Sequence, residues 1–147
     1  MDLTEYIRTV PDFPEPGIMF RDVTTLFAEP VAFTAMIEQF NQRFDGVDID
    51  YIGGIDARGF IIGAALAFAR NIGFVPVRKK GKLPYDTIAE DYALEYGAAT
   101  LELHTDAVSA GSKVLIVDDL IATGGTAIAA VNLFRKLNAD VVGCAFL

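Results

Sequence analysis

The 147 residues carry 12 Lys and Arg against 20 Asp and Glu, a formal net charge of −8, with 52% apolar content. That length and apolar share suit one domain spanning 1–147 with its own core, in no need of disulfides or a structural metal. The acidic balance excludes a protein that coats nucleic acid or anionic membrane by bulk attraction, so an anionic ligand has to be captured locally. The longest apolar run, Phe60 to Ala69, falls well short of the roughly 20 residues that span a bilayer and reads as a buried helix. Met1 to Glu5 shows no basic segment leading into an apolar stretch, and the single cysteine, Cys144, has no internal disulfide partner. Together these predict a cytoplasmic protein in which Cys144 is a small core residue.

In chain order, a short helix is expected near Leu3 to Arg8. Pro11 to Gly17, with three prolines, is an ordered loop or irregular segment. Pro30 to Phe44 fits a helix, with proline in its first turn and Phe33, Ile37, Phe40 and Phe44 on one face. Tyr51 to Ile55 reads as a buried strand, Phe60 to Arg70 as a helix and Phe74 to Val77 as the start of another strand, a βαβ unit. Lys79 to Gly97 mixes charge, glycine and proline without either period, and reads as a long mobile loop or weak hairpin. Thr100 to His104 alternates like a strand. Lys113 to Val117 is a continuous apolar strand, Ile128 to Leu137 a helix and Val141 to Leu147 a final buried strand, a second βαβ unit. Strands apolar on both faces that alternate with helices imply an α/β fold with a mostly parallel sheet covered by helices, and ligands in such sheets sit at the carboxyl ends of strands.

The most informative stretch runs from Val114 to Thr126, in the order strand, acidic pair, small-residue loop, helix. Asp118 and Asp119 fall where the strand leaves the core, so their carboxylates can accept hydrogen bonds from vicinal sugar hydroxyls. Ala122, Thr123, Gly124, Gly125 and Thr126 supply backbone N–H groups without bulk, two hydroxyls and the positive end of a helix dipole, a cradle of phosphate size. A Gly-Gly pair alone would only turn the chain. With the acidic pair and both threonines at matching offsets, the stretch resembles the phosphoribosyl pyrophosphate (PRPP) motif of the type I phosphoribosyltransferases. The nucleotide motifs GxxxxGK[ST] and GxGxxG are absent.

The resemblance extends further. Phe13-Pro14 with Pro16-Gly17, then Phe20-Arg21-Asp22, Gly54-Ile55-Asp56-Ala57-Arg58-Gly59-Phe60, Arg78-Lys79-Lys80-Gly81-Lys82-Leu83-Pro84 and Leu94-Glu95-Tyr96-Gly97 occur in the order found in the adenine phosphoribosyltransferases. The resemblance implies transfer of the phosphoribosyl group of PRPP to N9 of adenine, giving AMP and pyrophosphate with Mg²⁺ in purine salvage. It also implies a homodimer, with which apolar exposure in the N-terminal half would agree. The family covers one face of adenine from a segment beyond the last strand, which is expected to be missing from this chain.

Arg58, just past a strand end, can clamp phosphate oxygens in a fork. Four of the twelve basic residues, Arg78, Lys79, Lys80 and Lys82, lie within five positions. In an acidic protein that run favours a local phosphate site over nucleic acid. By resemblance, Arg58, Lys79, Lys82 and Tyr96 approach the pyrophosphate, and residues 79–97 form a lid that excludes water. Glu95 is then the general base for the proton adenine loses, with Arg58 the second catalytic group. From the sequence alone, Glu95 reads as a solvated charge. Met19, Phe20 and Arg21 match the adenine-contacting segment, although apolar residues there could equally be core. No direct metal ligand is identified, and Mg²⁺ is expected to ride on the diphosphate. Two alternatives stay open: a phosphoribosyltransferase for xanthine or hypoxanthine-guanine, and a non-catalytic PRPP-sensing regulator.

Overall fold

The computed structural model describes residues 1–94 and 96–147. Contacts group the chain into two units, Met1–Phe44 and Asp45–Leu147.

The first unit opens with a 3-10 turn, Leu3–Tyr6, capped by the Asp2 side chain, which accepts from the Thr4 N–H. The helix expected through Arg8 stops at Tyr6 because Ile7 is extended. Arg8 instead begins strand β1, Arg8–Pro11, which pairs antiparallel with β2, Met19–Asp22, so that Arg8 faces Asp22. The proline-rich segment is the loop of this hairpin. Helix α1 covers Thr24–Phe27 and α2 covers Pro30–Arg43, with Pro30 at its start. α2 buries Ala32, Met36, Ile37 and Phe40, one face at helical spacing.

The second unit is a six-stranded sheet. In chain order its elements are β3 (Tyr51–Ile55), α3 (Arg58–Arg70), β4 (Gly73–Lys79), β5 (Thr87–Ala93), β6 (Ala98–His104), β7 (Lys113–Asp118), α4 (Gly125–Lys136) and β8 (Asp140–Phe146). The spatial order is β5-β6-β4-β3-β7-β8. β4, β3, β7 and β8 run parallel, while β6 is antiparallel to both β4 and β5. Both expected βαβ units are present.

Two adjacent glycines show how helices take opposite faces. A Cβ on Gly53 would meet the Phe134 ring of α4 at 2.7 Å, while one on Gly54 would meet the Gly59 carbonyl of α3 at 2.7 Å. Successive strand residues point to opposite faces, so each helix lies on its own side of β3. The α4 side holds a core that includes Ile55, Val75, Val77, Leu101, Leu103, Val114, Ile116, Leu133 and Phe134. Cys144 packs against that core, and burial pushes its thiol up.

Of the two readings of Lys79 to Gly97, long loop or hairpin, the structure shows the hairpin: β5 is its first arm and β6 the second. Thr87 to Ala93 pairs residue for residue with His104 to Ala98, which leaves only residues 80–86 to connect β4 to β5. Ile88 and Tyr92 pack on the core. Glu90, between them in the alternation, reaches Lys136 and Asn132 of α4. No helix among the described residues is long and apolar enough to cross a membrane.

Candidate active site

The parallel strands β3, β4, β7 and β8 finish along one edge, as the chain past β3 confirms: the Asp56 N–H donates to the Val77 carbonyl of β4 at 2.9 Å. A cleft of about 230 Å³ lies there. Its walls are Asp56, Ala57 and Arg58 after β3, Lys79 at the end of β4, Asp118 to Thr123 after β7, Gly124, Thr126 and Ala127 at the start of α4, with Tyr92 and Phe146. This is where a parallel sheet places a ligand.

Gly59 lets α3 begin this close to β7. A Cβ there would stand 2.7 Å from the Val117 carbonyl oxygen and 3.2 Å from Asp118 Oδ1. The approach brings the Arg58 Nε onto Asp119 Oδ2, a hydrogen-bonded ion pair in which the Asp119 side chain is 7% exposed and Arg58 45%. Asp118 Oδ1 accepts from the Asp119 N–H at 2.8 Å. Burial first, and then the adjoining Asp119 carboxyl, push the Asp118 carboxyl up to about 7. Near neutral pH this group therefore exchanges between proton donor and acceptor, and either form can bond a ribose hydroxyl.

At the start of α4 the chain turns through Gly124, whose φ of 89° suits glycine, and no side chain caps the helix. The first N–H groups of this twelve-residue helix therefore face the cleft edge without a side-chain acceptor, beside the Thr123 and Thr126 hydroxyls, and the helix dipole favours an anion.

Arg58, Lys79, Asp118, Asp119, Ala122, Thr123, Gly124 and Thr126 line the cleft together, and Gly125 starts α4 behind them. Lys82 and Tyr96 are exposed and are not among its walls. Met19, Phe20 and Arg21 belong to β2 of the first unit. There Met19 is exposed, Phe20 packs edge-on against Phe13 at 5.2 Å, and the Arg21 guanidinium donates to the Thr9 hydroxyl. Glu95 lies outside the described residues.

Arg78, counted in the basic run, is directed elsewhere: its Nε is 3.4 Å from Asp56 Oδ2 and its guanidinium stacks over the Phe60 ring at 5.6 Å. Sequence reasoning missed seven wall residues, Asp56, Ala57, Tyr92, Leu120, Ile121, Ala127 and Phe146. Asp56 was within reach, since it sits in the quoted Gly54 to Phe60 segment. Leu120 and Ile121, 58% and 53% exposed, are apolar residues held at the surface beside an acidic pair, itself a signal for an apolar ligand face.

Residues 23–147 match the phosphoribosyl transferase domain family. The chain is 60% identical over 145 residues to the adenine phosphoribosyltransferase of Dinoroseobacter shibae, covering 99% of this chain and 81% of that protein. The crystal structure of adenine phosphoribosyltransferase from Thermoanaerobacter pseudethanolicus superposes with a TM-score of 0.96 at 46% identity, over 99% of this chain and 85% of that one. The Saccharomyces cerevisiae enzyme, complexed with an imino-altritol bisphosphate and adenine, gives 0.94 at 43% identity over the same shares, 99% and 85%. With its acidic pair, uncapped helix start and arginine gathered at one strand edge, and with relatives this near over almost its whole length, the chain belongs to the phosphoribosyltransferases and, within them, to the adenine phosphoribosyltransferase family.

Proposed function

We propose that the chain transfers the 5-phosphoribosyl group of PRPP to N9 of adenine, forming AMP and releasing pyrophosphate. The observation that carries this reading is the joining, in one cleft, of two carboxylates at the end of β7 to an uncapped α4 N-terminus. Breaking the bond from C1′ to pyrophosphate builds positive charge on the ribose and negative charge on the leaving group, so the site has to grip both ends of PRPP. The cradle from Ala122 to Thr126 takes the 5′-phosphate. Asp118 and Asp119 hold the ribose hydroxyls. Arg58 and Lys79, on the facing wall, supply positive charge to the diphosphate as it leaves. Asp119 holds the Arg58 side chain through Nε, so that the arginine is oriented before the substrate arrives. Leu120 and Ile121 offer apolar contact to a heterocycle. Glu95 takes the adenine proton in this scheme, a role that rests on the resemblance of Leu94 to Gly97.

Among the described residues no three His, Cys, Asp or Glu side chains are grouped to hold a metal. This donor set fits a Mg²⁺ ion carried on diphosphate oxygens and water, which would offset the charge of the leaving group. A homodimer is proposed on α3, where Ile61, Ala64 and Phe68 form an exposed apolar stripe and Phe68 is 89% exposed. A reducing cytoplasm suits the free Cys144.

The test is AMP formation from adenine and PRPP with Mg²⁺, resolved by chromatography, with guanine, hypoxanthine and xanthine in parallel. AMP from adenine alone is the expected result. Nucleotide from another base, or from none, refutes the assignment.

A further inference from the structure

We propose that Glu102 of β6 is a positioning residue for the diphosphate end of the substrate, its carboxylate fixing the basic turn of residues 79–82 from beneath. The inference rests on the reading of the cleft given above and deepens it. Lys79 reaches the cleft wall from the last position of β4, and the chain then turns through Lys80, Gly81 and Lys82. Three ammonium groups within four positions repel one another, and such a turn has no apolar residue with which to anchor itself.

Glu102 supplies the anchor. Its Oε1 accepts from the Gly81 N–H at 2.6 Å and its Oε2 from the Thr87 hydroxyl at 3.0 Å. Gly81 is the middle of the basic turn, at a left-handed φ of 84°, and Thr87 is the first residue of β5. One side chain therefore ties both ends of the β4–β5 connection. Neighbouring bonds to β6 and its end lie alongside: Lys80 N–H to the Thr100 carbonyl at 3.1 Å and Thr105 N–H to the Asp86 carbonyl at 2.9 Å. The Tyr85 N–H reaches His104 Nε2 at 3.3 Å.

The donors that Glu102 uses are both neutral, and the carboxylate forms no ion pair among the described residues. Its charge offsets the lysine cluster without capturing any ammonium group, which leaves those groups to an anionic ligand. A carboxylate is also the side chain that can accept at two oxygens at once. Glutamine keeps one acceptor and turns a donor toward the other position.

The experiment compares wild type with Glu102→Ala, Glu102→Gln and Thr87→Val. It measures KM for PRPP and for adenine in the forward reaction, and calorimetric Kd for pyrophosphate and for AMP. AMP uses the cradle at α4 and has no diphosphate, so it reports the rest of the cleft. Glu102→Ala is expected to raise the PRPP KM and the pyrophosphate Kd about tenfold, the weight of a charge-assisted hydrogen bond. The adenine KM and the AMP Kd should stay within about twofold, and Glu102→Gln should recover part of the loss. Unchanged PRPP and pyrophosphate constants in folded Glu102→Ala overturn the proposal. So does a parallel loss in all four constants, which marks a merely structural residue. If Glu102→Ala does not fold, Thr87→Val decides, with about a threefold rise expected in the same two constants and no rise overturning the proposal. Wild type that makes no AMP from adenine and PRPP refutes the functional reading instead, and pyrophosphate binding still scores the Glu102 variants.

Discussion

Gly59→Ala tests whether the cleft depends on how closely α3 approaches β7. The added methyl would sit 2.7 Å from the Val117 backbone oxygen and 3.3 Å from the Asp118 Cα, atoms that no side-chain rotation can move aside. Restoring ordinary contact requires the helix start to retreat by about 0.7 Å. Overpacking of this kind costs about 1–3 kcal/mol, and a shift approaching 1 Å at reacting groups can cost up to about a hundredfold in rate. Arg58 precedes Gly59 and Asp118 receives the clash, so both sides of the cleft move. We therefore expect a lower urea midpoint together with a fall of about 10- to 100-fold in kcat/KM for PRPP. Gly63→Ala separates the two effects: one turn along α3, its Cβ would meet the Phe74 ring at 2.9 Å, away from the cleft walls. That variant should lose stability and keep its kinetic constants. Wild-type PRPP kinetics and an unchanged urea midpoint in Gly59→Ala would refute the reasoning.

Asp118→Asn combined with Asp119→Asn should abolish PRPP binding while circular dichroism stays native, because asparagine keeps the size of each side chain at the strand end and removes only its charge. Calorimetric titration with PRPP measures this, and unaltered affinity removes the ribose-binding role. The Asp118 carboxyl, raised from 3.8 to about 7 chiefly by burial, keeps a proton in the native chain that the unfolded chain has released. Its effect is a stability that is full below about 4 and declines as pH rises through about 7. Urea midpoints followed across that range should fall with pH more steeply in wild type than in Asp118→Asn, and parallel profiles would disprove the shift. Phe68→Glu should convert a dimer to monomer in sedimentation, and a monomeric wild type would dispose of the α3 interface.

What could be read from the residues alone was whatever nearest neighbours encode. Val114 to Asp118 is apolar until the sheet ends, and the small residues and threonines that follow leave little option but a tight turn into a helix, so the cradle was legible within a few positions. Even there the helices start earlier than hydrophobic period suggests: α3 begins at Arg58 and α4 at Gly125. Period registers only buried faces, whereas these first turns face the ligand cleft.

Residues whose partners lie far along the chain were hidden. β5 reads as loop or weak hairpin because Glu90 interrupts its buried alternation, and that charge is acceptable only because Lys136 of α4 lies across from it. Lys136 also donates to the Ala89 carbonyl at 2.6 Å, which fixes α4 to the strand that carries Tyr92 to the cleft. Arg78 shows the opposite case. In a basic run it looks like one more phosphate ligand, yet it sits with Asp56 and Phe60, and the run divides by strand geometry. Arg78 is half-buried and faces inward contacts, whereas Lys79, the next residue, is exposed at the cleft wall. Strand alternation turns adjacent cations to opposite sides. A cluster of basic residues therefore names the ligand's charge, and the parity of each residue along its strand decides which of them meets the ligand and which braces the site.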